Sequence, residues 1–160
     1  MVLKSWTNDR LELPARRLLK MPDKDIAIGP GAHYAMAAFL HANETGSRFN
    51  SPELGAWYAS FDIETAIAET VHHHVRRLET SAMGFWMAVQ MRELIVNLDA
   101  EFHDIRGLRD SRPELYHLED YSVSQSFGEN LRAADANGIC YDSVRRNNGT
   151  NVVVYRPDPG

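Results

Sequence analysis

The sequence predicts an α+β domain in which a mixed β-sheet is flanked by helices. Segments with helical spacing of apolar residues and short runs of strand-forming residues follow one another without strict β-α-β alternation. The chain has 160 residues, of which 44% are hydrophobic and 24% are charged, as is usual for a globular domain. The sequence contains no repeat and no long linker, so we expect residues 1–160 to form one domain around one core.

The helices are predicted from periodic apolar residues and from signals at their ends. The apolar segment 34–40 predicts a short helix. Asp62 is suited to cap a second helix, in which apolar residues recur at helical spacing and form one stripe. The stripe comprises Ile63, Ile67, Val71, His74, Val75 and Leu78. Residues 123–134 carry the apolar face of a third helix, which Asn137-Gly138 is expected to end in the left-handed conformation.

The strands are predicted from short runs of β-branched, aromatic and other apolar residues. They lie at 56–59, 86–90, 94–98, 139–141 and 152–155. The last two runs flank the turn sequence Asn147-Asn148-Gly149 and therefore predict a β-hairpin. The polar segment 99–113 is predicted to be irregular.

Charge and composition exclude several classes of protein. The 17 Lys and Arg against 22 Asp and Glu give a net charge of −5, which disfavours direct binding to nucleic acid. No apolar stretch reaches the roughly 18 residues of a membrane-spanning helix. The single cysteine, Cys140, lies in an apolar run and is predicted to be a small buried side chain rather than a nucleophile. We therefore expect a cytoplasmic protein with no membrane partner.

Local motifs do not identify a function. His72-His73-His74 is not expected to bind a metal, because consecutive helical side chains diverge by about 100°. The sequence also lacks the phosphate-loop, dinucleotide-binding, hydrolase and zinc-protease motifs.

Glu69 has two possible environments. It lies about 200° around the helix from Ile67 at the centre of the apolar stripe, so periodicity predicts a solvated carboxylate. The small residues Ala66 and Ala68 beside it would allow close approach by another element or a ligand. From the residues alone, the function stays open.

Five segments, taken in order, resemble the RES domain family. They are residues 46–52 (GSRFNSP), 57–60 (WYAS), 64–69 (ETAIAE), 121–128 (YSVSQSFG) and 137–145 (NGICYDSVR). The resemblance extends over residues 32–157. The three residues that give this family its name correspond to Arg48, Glu69 and Ser143.

The resemblance implies a fold similar to that of the ADP-ribosyltransferases and a role as the toxin of a bacterial toxin–antitoxin pair. The implied partner is an Xre-type antitoxin that neutralises the toxin in a hetero-oligomer. The implied reaction is cleavage of the nicotinamide–ribose bond of NAD, with water or phosphate as acceptor, which depletes cellular NAD. NAD is then a substrate, phosphate is a possible co-substrate, and no cofactor is implied.

The resemblance also implies which residues act. The catalytic candidates are Glu69, whose carboxylate would stabilise an oxocarbenium ion, Arg48 and Ser143. The guanidinium of Arg48 would hold the pyrophosphate, and the rings of Tyr58 and Phe49 would stack on the ligand. The NAD-binding candidates together are Arg48, Phe49, Tyr58, Ser143 and Asn151. On this interpretation the polar helix face that carries Glu69 lines a cleft.

Two other functions remain open. The same pocket could serve a mono-ADP-ribosyltransferase that modifies a protein, or the domain could be a non-catalytic module that binds a partner. Residues 1–30 lie outside the interpretable resemblance and are candidates for partner or oligomer contacts.

Overall fold

A four-stranded mixed sheet lies at the centre of the protein, in a computed structural model that describes residues 9–80 and 88–157. The strands are β1 (Trp57–Ser60), β2 (His103–Asp104), β3 (Gly138–Asp142) and β4 (Thr150–Val154), in the spatial order β1-β4-β3-β2. β4 is antiparallel to both β1 and β3, whereas β2 is parallel to β3. The described helices are α1 (Asp9–Leu18), α2 (Ala32–Leu40), α3 (Ile63–Thr80) and α4 (Ser122–Ala133), with 3-10 turns at Asp23–Asp25 and Pro113–Tyr116. The predicted α+β class is confirmed.

The closing β-hairpin forms as predicted. Asn148 takes the left-handed conformation, with φ of 58°, which asparagine tolerates better than most residues. The backbone N–H of Ser143 then donates to the carbonyl of Gly149 at 2.8 Å and closes the turn. The hairpin therefore fixes the position of Ser143 relative to β4.

The register of three strands places two rows of side chains on one face of the sheet, because directly paired residues project to the same side. One row is polar, and the adjacent row is more apolar. The polar row comprises Ser60, Asn151 and Tyr141, and the other comprises Tyr58, Val153 and Ile139. A polar surface and the apolar core thus share one face of the sheet.

The main hydrophobic core covers the apolar part of this face. Its buried members are Phe49, Ala56, Ile105, Leu115, Tyr116, Ile139, Tyr141, Val153 and Tyr155. Phe127 and Leu131 of α4 pack against them, as their helical spacing predicts, whereas Val123 is exposed. The predicted end of this helix is wrong: Asp135, with φ of 65°, takes the left-handed conformation before Asn137-Gly138 is reached.

The start of α3 follows the sequence prediction. Asp62 Oδ1 accepts a hydrogen bond from the backbone N–H of Thr65 at 2.8 Å, and Asp62 Oδ2 accepts one from Thr65 Oγ1 at 2.8 Å. These contacts satisfy a backbone donor that the first turn of a helix leaves without a partner. Asp62 thereby fixes where α3 begins.

The orientation of α3 differs from the simplest interpretation of its periodicity. The apolar stripe faces away from the domain: Ile63, Ile67, Val71 and Val75 are 44%, 54%, 54% and 42% exposed. The opposite, polar face lies against the hairpin, and there Thr65 is fully buried and Glu69 is half-buried. A solvated Glu69 is therefore wrong, because the hydrogen-bonding groups of the hairpin provide partners for the polar face.

The strand predicted at 94–98 is also wrong. This segment has no regular structure and its side chains are exposed. Residues 88–90 likewise lie outside regular structure, and residues 86–87 lie outside the described residues. A short apolar run has strand propensity, but a strand also needs a neighbour to pair with. In the region predicted to be irregular, β2 obtains such a neighbour in β3.

The helix α1 is attached to the rest of the fold by an arginine. The Arg17 guanidinium donates to the carbonyl of Leu40, at the end of α2, at 2.7 Å and to the carbonyl of Pro52 at 2.9 Å. It thereby links α1 both to α2 and to the segment before β1. No helix within residues 9–80 and 88–157 has the length and apolar character needed to cross a membrane.

Candidate active site

A cavity of about 1030 Å³ opens beside the polar row of the sheet. Residues 41–50 and β1 form one side, and α3 with residues 119–122 forms the other. Tyr141 of β3 and Asn151 of β4 line the cavity where the sheet reaches it. Its volume is at the upper end of the range for small-molecule sites, which suits a ligand as large as a dinucleotide.

Glu69 of α3 lines this cavity with one carboxylate oxygen held in place. Its Oε1 accepts hydrogen bonds from Ser143 Oγ at 2.7 Å and from Asn151 Nδ2 at 2.8 Å. No group of the described residues donates to Oε2. The carboxylate is thus oriented through one oxygen, and the other remains available to a ligand.

Ser143 acts on Glu69 and does not itself line the cavity. It follows β3, is 2% exposed, and its Oγ accepts hydrogen bonds from the backbone N–H groups of Arg145 and Arg146, each at 3.1 Å. A hydroxyl has one proton to donate, and that of Ser143 goes to Glu69. Ser143 is thus placed to orient the carboxylate of Glu69.

Asn151 is oriented by a neighbour across the sheet. Ser60 Oγ donates to Asn151 Oδ1 at 2.7 Å, which leaves the amide nitrogen directed at Glu69. The Glu69 carboxylate can only accept, so it requires the amide nitrogen to face it, and the Ser60 contact holds the amide in that orientation. Ser60, Asn151 and Glu69 form one hydrogen-bonded chain.

Arg48 provides a largely buried cation in the cavity wall. It is 7% exposed, and its Nη1 donates to the carbonyls of Leu115 at 3.2 Å and His117 at 2.8 Å. Its guanidinium also lies 4.6 Å from the ring centroid of Tyr121. Within residues 9–80 and 88–157, its Nε and Nη2 groups have no acceptor, so they are available to an anion.

Tyr58 and Phe49, the two predicted stacking residues, have different positions. Tyr58 lines the cavity, but its hydroxyl accepts from the backbone N–H of Phe49 and donates to Asn50 Oδ1, each at 2.9 Å. Burial raises the pKa of Tyr58 far above the ordinary value of 10.0, so the phenol stays neutral. Phe49 is fully buried and packs edge-to-face on Tyr141. Stacking of a ligand on Phe49 is therefore not supported, because none of its ring is accessible.

The structure thus joins Glu69, Ser143 and Asn151 directly, with Arg48 and Tyr58 in the wall of the same cavity. The RES domain model matches residues 25–160 of the chain. The chain belongs to the RES domain family. Membership is consistent with an NAD-acting module related to toxin–antitoxin systems, a setting in which an antitoxin partner is expected. The comparison with curated proteins gives no match.

This RES domain also places residues in the cavity that the sequence did not single out. His73 lies one helical turn after Glu69 and lines the same wall, where partial loss of hydration lowers its pKa from the ordinary 6.5. Ser60 and Tyr141 enter through strand pairing with Asn151. The spacing of four residues on α3 could have identified His73, whereas the strand register needed for the other two comes only from the fold.

The rim of the cavity is held by arginine contacts. Arg76 of α3 forms an ion pair with Glu119 at 3.1 Å, and Arg145 of the hairpin donates to the carbonyl of Leu118 at 3.0 Å. Both contacts end on the segment that precedes α4. α3 and the hairpin therefore share this segment as a common support.

The charged side chains that line the cavity include one more arginine than carboxylate, in a chain of net negative charge. Among the described residues, four arginines and three carboxylates line it. They are Arg48, Arg76, Arg77 and Arg145, and Glu69, Glu119 and Asp120. Such a surface favours a ligand that carries phosphate groups, for which arginine is well suited.

Metal-binding clusters and the cysteine give less support for a functional site. Within the described residues, no group of three His, Cys, Asp or Glu side chains is arranged to hold a metal ion. Cys140 is half-buried on β3, and burial raises the pKa of its thiol, which lowers the fraction of reactive thiolate. The cavity around Glu69 is where the chemistry of this RES domain is best supported.

Proposed function

We propose that this RES domain cleaves the nicotinamide–ribose bond of NAD and acts as the toxin of a toxin–antitoxin pair. The observation that carries the proposal is the Glu69 carboxylate, fixed through Oε1 by Ser143 and Asn151 beside a large cavity that is also lined by arginines. NAD-related enzymatic activity is associated broadly with the family.

In the proposed reaction the bond between ribose C1′ and the nicotinamide nitrogen breaks, and its electron pair leaves with the nicotinamide. The cationic pyridinium becomes neutral nicotinamide, while positive charge develops on the ribose. Glu69 stabilises that charge, since a fixed carboxylate needs little reorganisation as the charge appears. An acceptor oxygen then bonds to C1′, and the acceptor releases a proton to solvent when it is water.

Arg48 supports the assignment of NAD as the substrate, because it can bind the pyrophosphate of NAD. Its available Nε and Nη2 groups can donate side by side to phosphate oxygens, and its Nη1 contacts hold the guanidinium in place. The ring of Tyr58, whose hydroxyl is occupied within the protein, offers a surface for the nicotinamide. We assign no ligand contact to Phe49.

We further propose an Xre-type antitoxin as the partner, in a cytoplasmic hetero-oligomer, and a fold related to the ADP-ribosyltransferases. The net charge of −5 suits a basic protein partner. Binding to an operator would then belong to the antitoxin. A pull-down from the native host that contains no helix-turn-helix protein would contradict this pairing.

The test is incubation of the purified protein with NAD, with and without phosphate, with nicotinamide release followed by chromatography. We expect release by the parent protein, and its dependence on phosphate distinguishes phosphorolysis from hydrolysis. Glu69→Gln should reduce the rate at least about 100-fold, because it removes the charge that stabilises the transition state. Glu79→Gln, on the same helix outside the cavity, is the matched control and should retain the parent rate.

Two results would contradict the proposal. One is a folded parent protein that releases no nicotinamide, and the other is a Glu69→Gln variant as active as Glu79→Gln. Retention of labelled ADP-ribose on a protein would instead identify a mono-ADP-ribosyltransferase.

A further inference from the structure

Tyr141 spans the boundary between the core and the cavity. Its residue is 6% exposed, and its ring packs edge-to-face on Phe49 with centroids 4.8 Å apart. It also lines the cavity, in the same cross-strand row as Asn151, which binds Glu69. The ring therefore belongs to the core, while the side chain reaches the ligand space beside the proposed catalytic carboxylate.

The hydroxyl of Tyr141 differs from those of the other buried tyrosines. Tyr116 Oη donates to the carbonyl of Ile105 at 2.5 Å, and Tyr155 Oη donates to the carbonyl of Phe49 at 3.0 Å. Tyr141 Oη has no hydrogen-bond partner within residues 9–80 and 88–157, and the oxygen is accessible from the cavity that Tyr141 lines. A phenol hydroxyl that is accessible at a cavity wall and makes no contact with the protein is available to a ligand.

The hydroxyl is suited to donate to an uncharged oxygen. Burial raises the pKa of Tyr141 well above its ordinary value of 10.0, so the phenol keeps its proton at physiological pH. Glu69 lies in the wall of the same cavity and is hydrogen-bonded to Asn151, the residue that pairs with Tyr141 across the strands. A group that binds between Glu69 and Tyr141 meets an acceptor on one side and a donor on the other, as a sugar hydroxyl requires.

We infer that Tyr141 is a substrate-binding residue whose hydroxyl donates a hydrogen bond to a ribose oxygen of the ligand held at Glu69. The inference rests on the proposed function, because the ribose is that of NAD. It adds a contact on the sheet side of the cavity to the carboxylate on α3. The sugar is then held from two elements, which restricts its rotation during bond cleavage.

The experiment compares Tyr141→Phe with Tyr155→Phe, because each removes one hydroxyl from a nearly fully buried ring. KM and kcat are measured from nicotinamide release, and stability is measured from the urea midpoint. We expect Tyr141→Phe to lower kcat/KM about 3- to 10-fold, as loss of one neutral hydrogen bond predicts, without lowering the urea midpoint. Tyr155→Phe should lower the urea midpoint and leave kcat/KM within about twofold of the parent, since its hydroxyl pairs with the protein.

The outcomes separate this inference from the proposed function. If the parent releases nicotinamide and Tyr141→Phe has the parent kcat/KM, only the role of Tyr141 is overturned. If Tyr141→Phe lowers the urea midpoint as much as Tyr155→Phe does, its hydroxyl pairs within the protein and the inference is also overturned. A parent protein without NAD turnover would overturn the proposed function and the ribose contact together.

Discussion

Replacing Ser143 with alanine tests how the carboxylate of Glu69 is held. The substitution removes one hydroxyl from a site that is 2% exposed and leaves the backbone of the hairpin unchanged. It deletes the donor to Glu69 Oε1 at 2.7 Å and the acceptor for the backbone N–H groups of Arg145 and Arg146. One change therefore affects both the hairpin turn and the site.

The magnitude follows from these three contacts. A hydrogen bond to a charged group contributes about 1.5–3 kcal/mol, and a partly buried donor left unpaired costs about 1 kcal/mol or more. We expect Ser143→Ala to lower the free energy of unfolding by about 4 kcal/mol, which corresponds to about 8–16 °C in Tm for a chain of this size. Glu69 retains only the Asn151 contact, so kcat should fall about 10-fold, equivalent to about 1.4 kcal/mol.

Urea unfolding and nicotinamide release measure the two effects separately. Ser126→Ala is the matched control, because Ser126 Oγ donates to a helix carbonyl on the exposed side of α4. It should change the free energy of unfolding by less than about 0.5 kcal/mol. A double-mutant cycle of Ser143→Ala with Glu69→Gln should give non-additive effects on kcat, since the two side chains act as one unit.

The reasoning would be refuted in either of two ways. If Ser143→Ala unfolds at the same urea concentration as Ser126→Ala, the buried hydroxyl does not contribute its three contacts. If stability falls but kcat and the double-mutant cycle show no coupling to Glu69, Ser143 stabilises the hairpin without positioning the carboxylate.

Three further substitutions test the surroundings of the site. Ser60→Ala removes the hydrogen bond that supports the Asn151 amide, so Glu69 is held less rigidly and kcat for nicotinamide release should fall about 3- to 10-fold with little change in KM. An unchanged kcat would contradict the role of Ser60. Burial lowers the pKa of His72 from 6.5, so the unfolded chain binds its proton more readily. The contribution of neutral His72 to the free energy of unfolding is complete above about pH 6.5 and is lost as the pH falls through the lowered pKa. His72→Gln should therefore flatten the pH dependence of the urea midpoint. A variant profile as steep as that of the parent would refute this. A Cβ at Gly149 would lie 2.6 Å from Thr65 Oγ1, so Gly149→Ala should lower the free energy of unfolding by about 1–3 kcal/mol in urea titration. If the variant is as stable as the parent, the hairpin turn moves freely enough to accept the methyl group.

Local sequence signals determined several elements of the fold. The Asp62 cap predicts where α3 begins, and the Asn-Asn-Gly turn predicts the hairpin of β3 and β4. These features depend on contacts within a few residues, such as the side-chain cap on Thr65 and the left-handed conformation of Asn148. The helical spacing of Phe127 and Leu131 also identified an apolar face that packs on the core.

Periodicity could not determine which face of α3 meets the domain. It separates Ile67 from Glu69 around the helix, but a polar face can be buried where another element provides hydrogen bonds. That element is the hairpin, more than 70 residues further along the chain, with Ser143 and Asn151. The resemblance to the RES family placed Glu69 in a cleft, but it gave no account of what holds its Oε1.

The residues themselves thus determined the α+β class, the helix cap and the hairpin turn, while the family resemblance singled out Arg48, Glu69 and Ser143. Only the tertiary structure decided that Phe49 is core, that 94–98 is not a strand, and that Ser60 and Tyr141 share the row of Asn151. The physical reason is the range of the interactions. Caps and turns are fixed by neighbouring residues, whereas burial, strand pairing and the direction of a hydrogen bond depend on segments that meet only after the chain has folded.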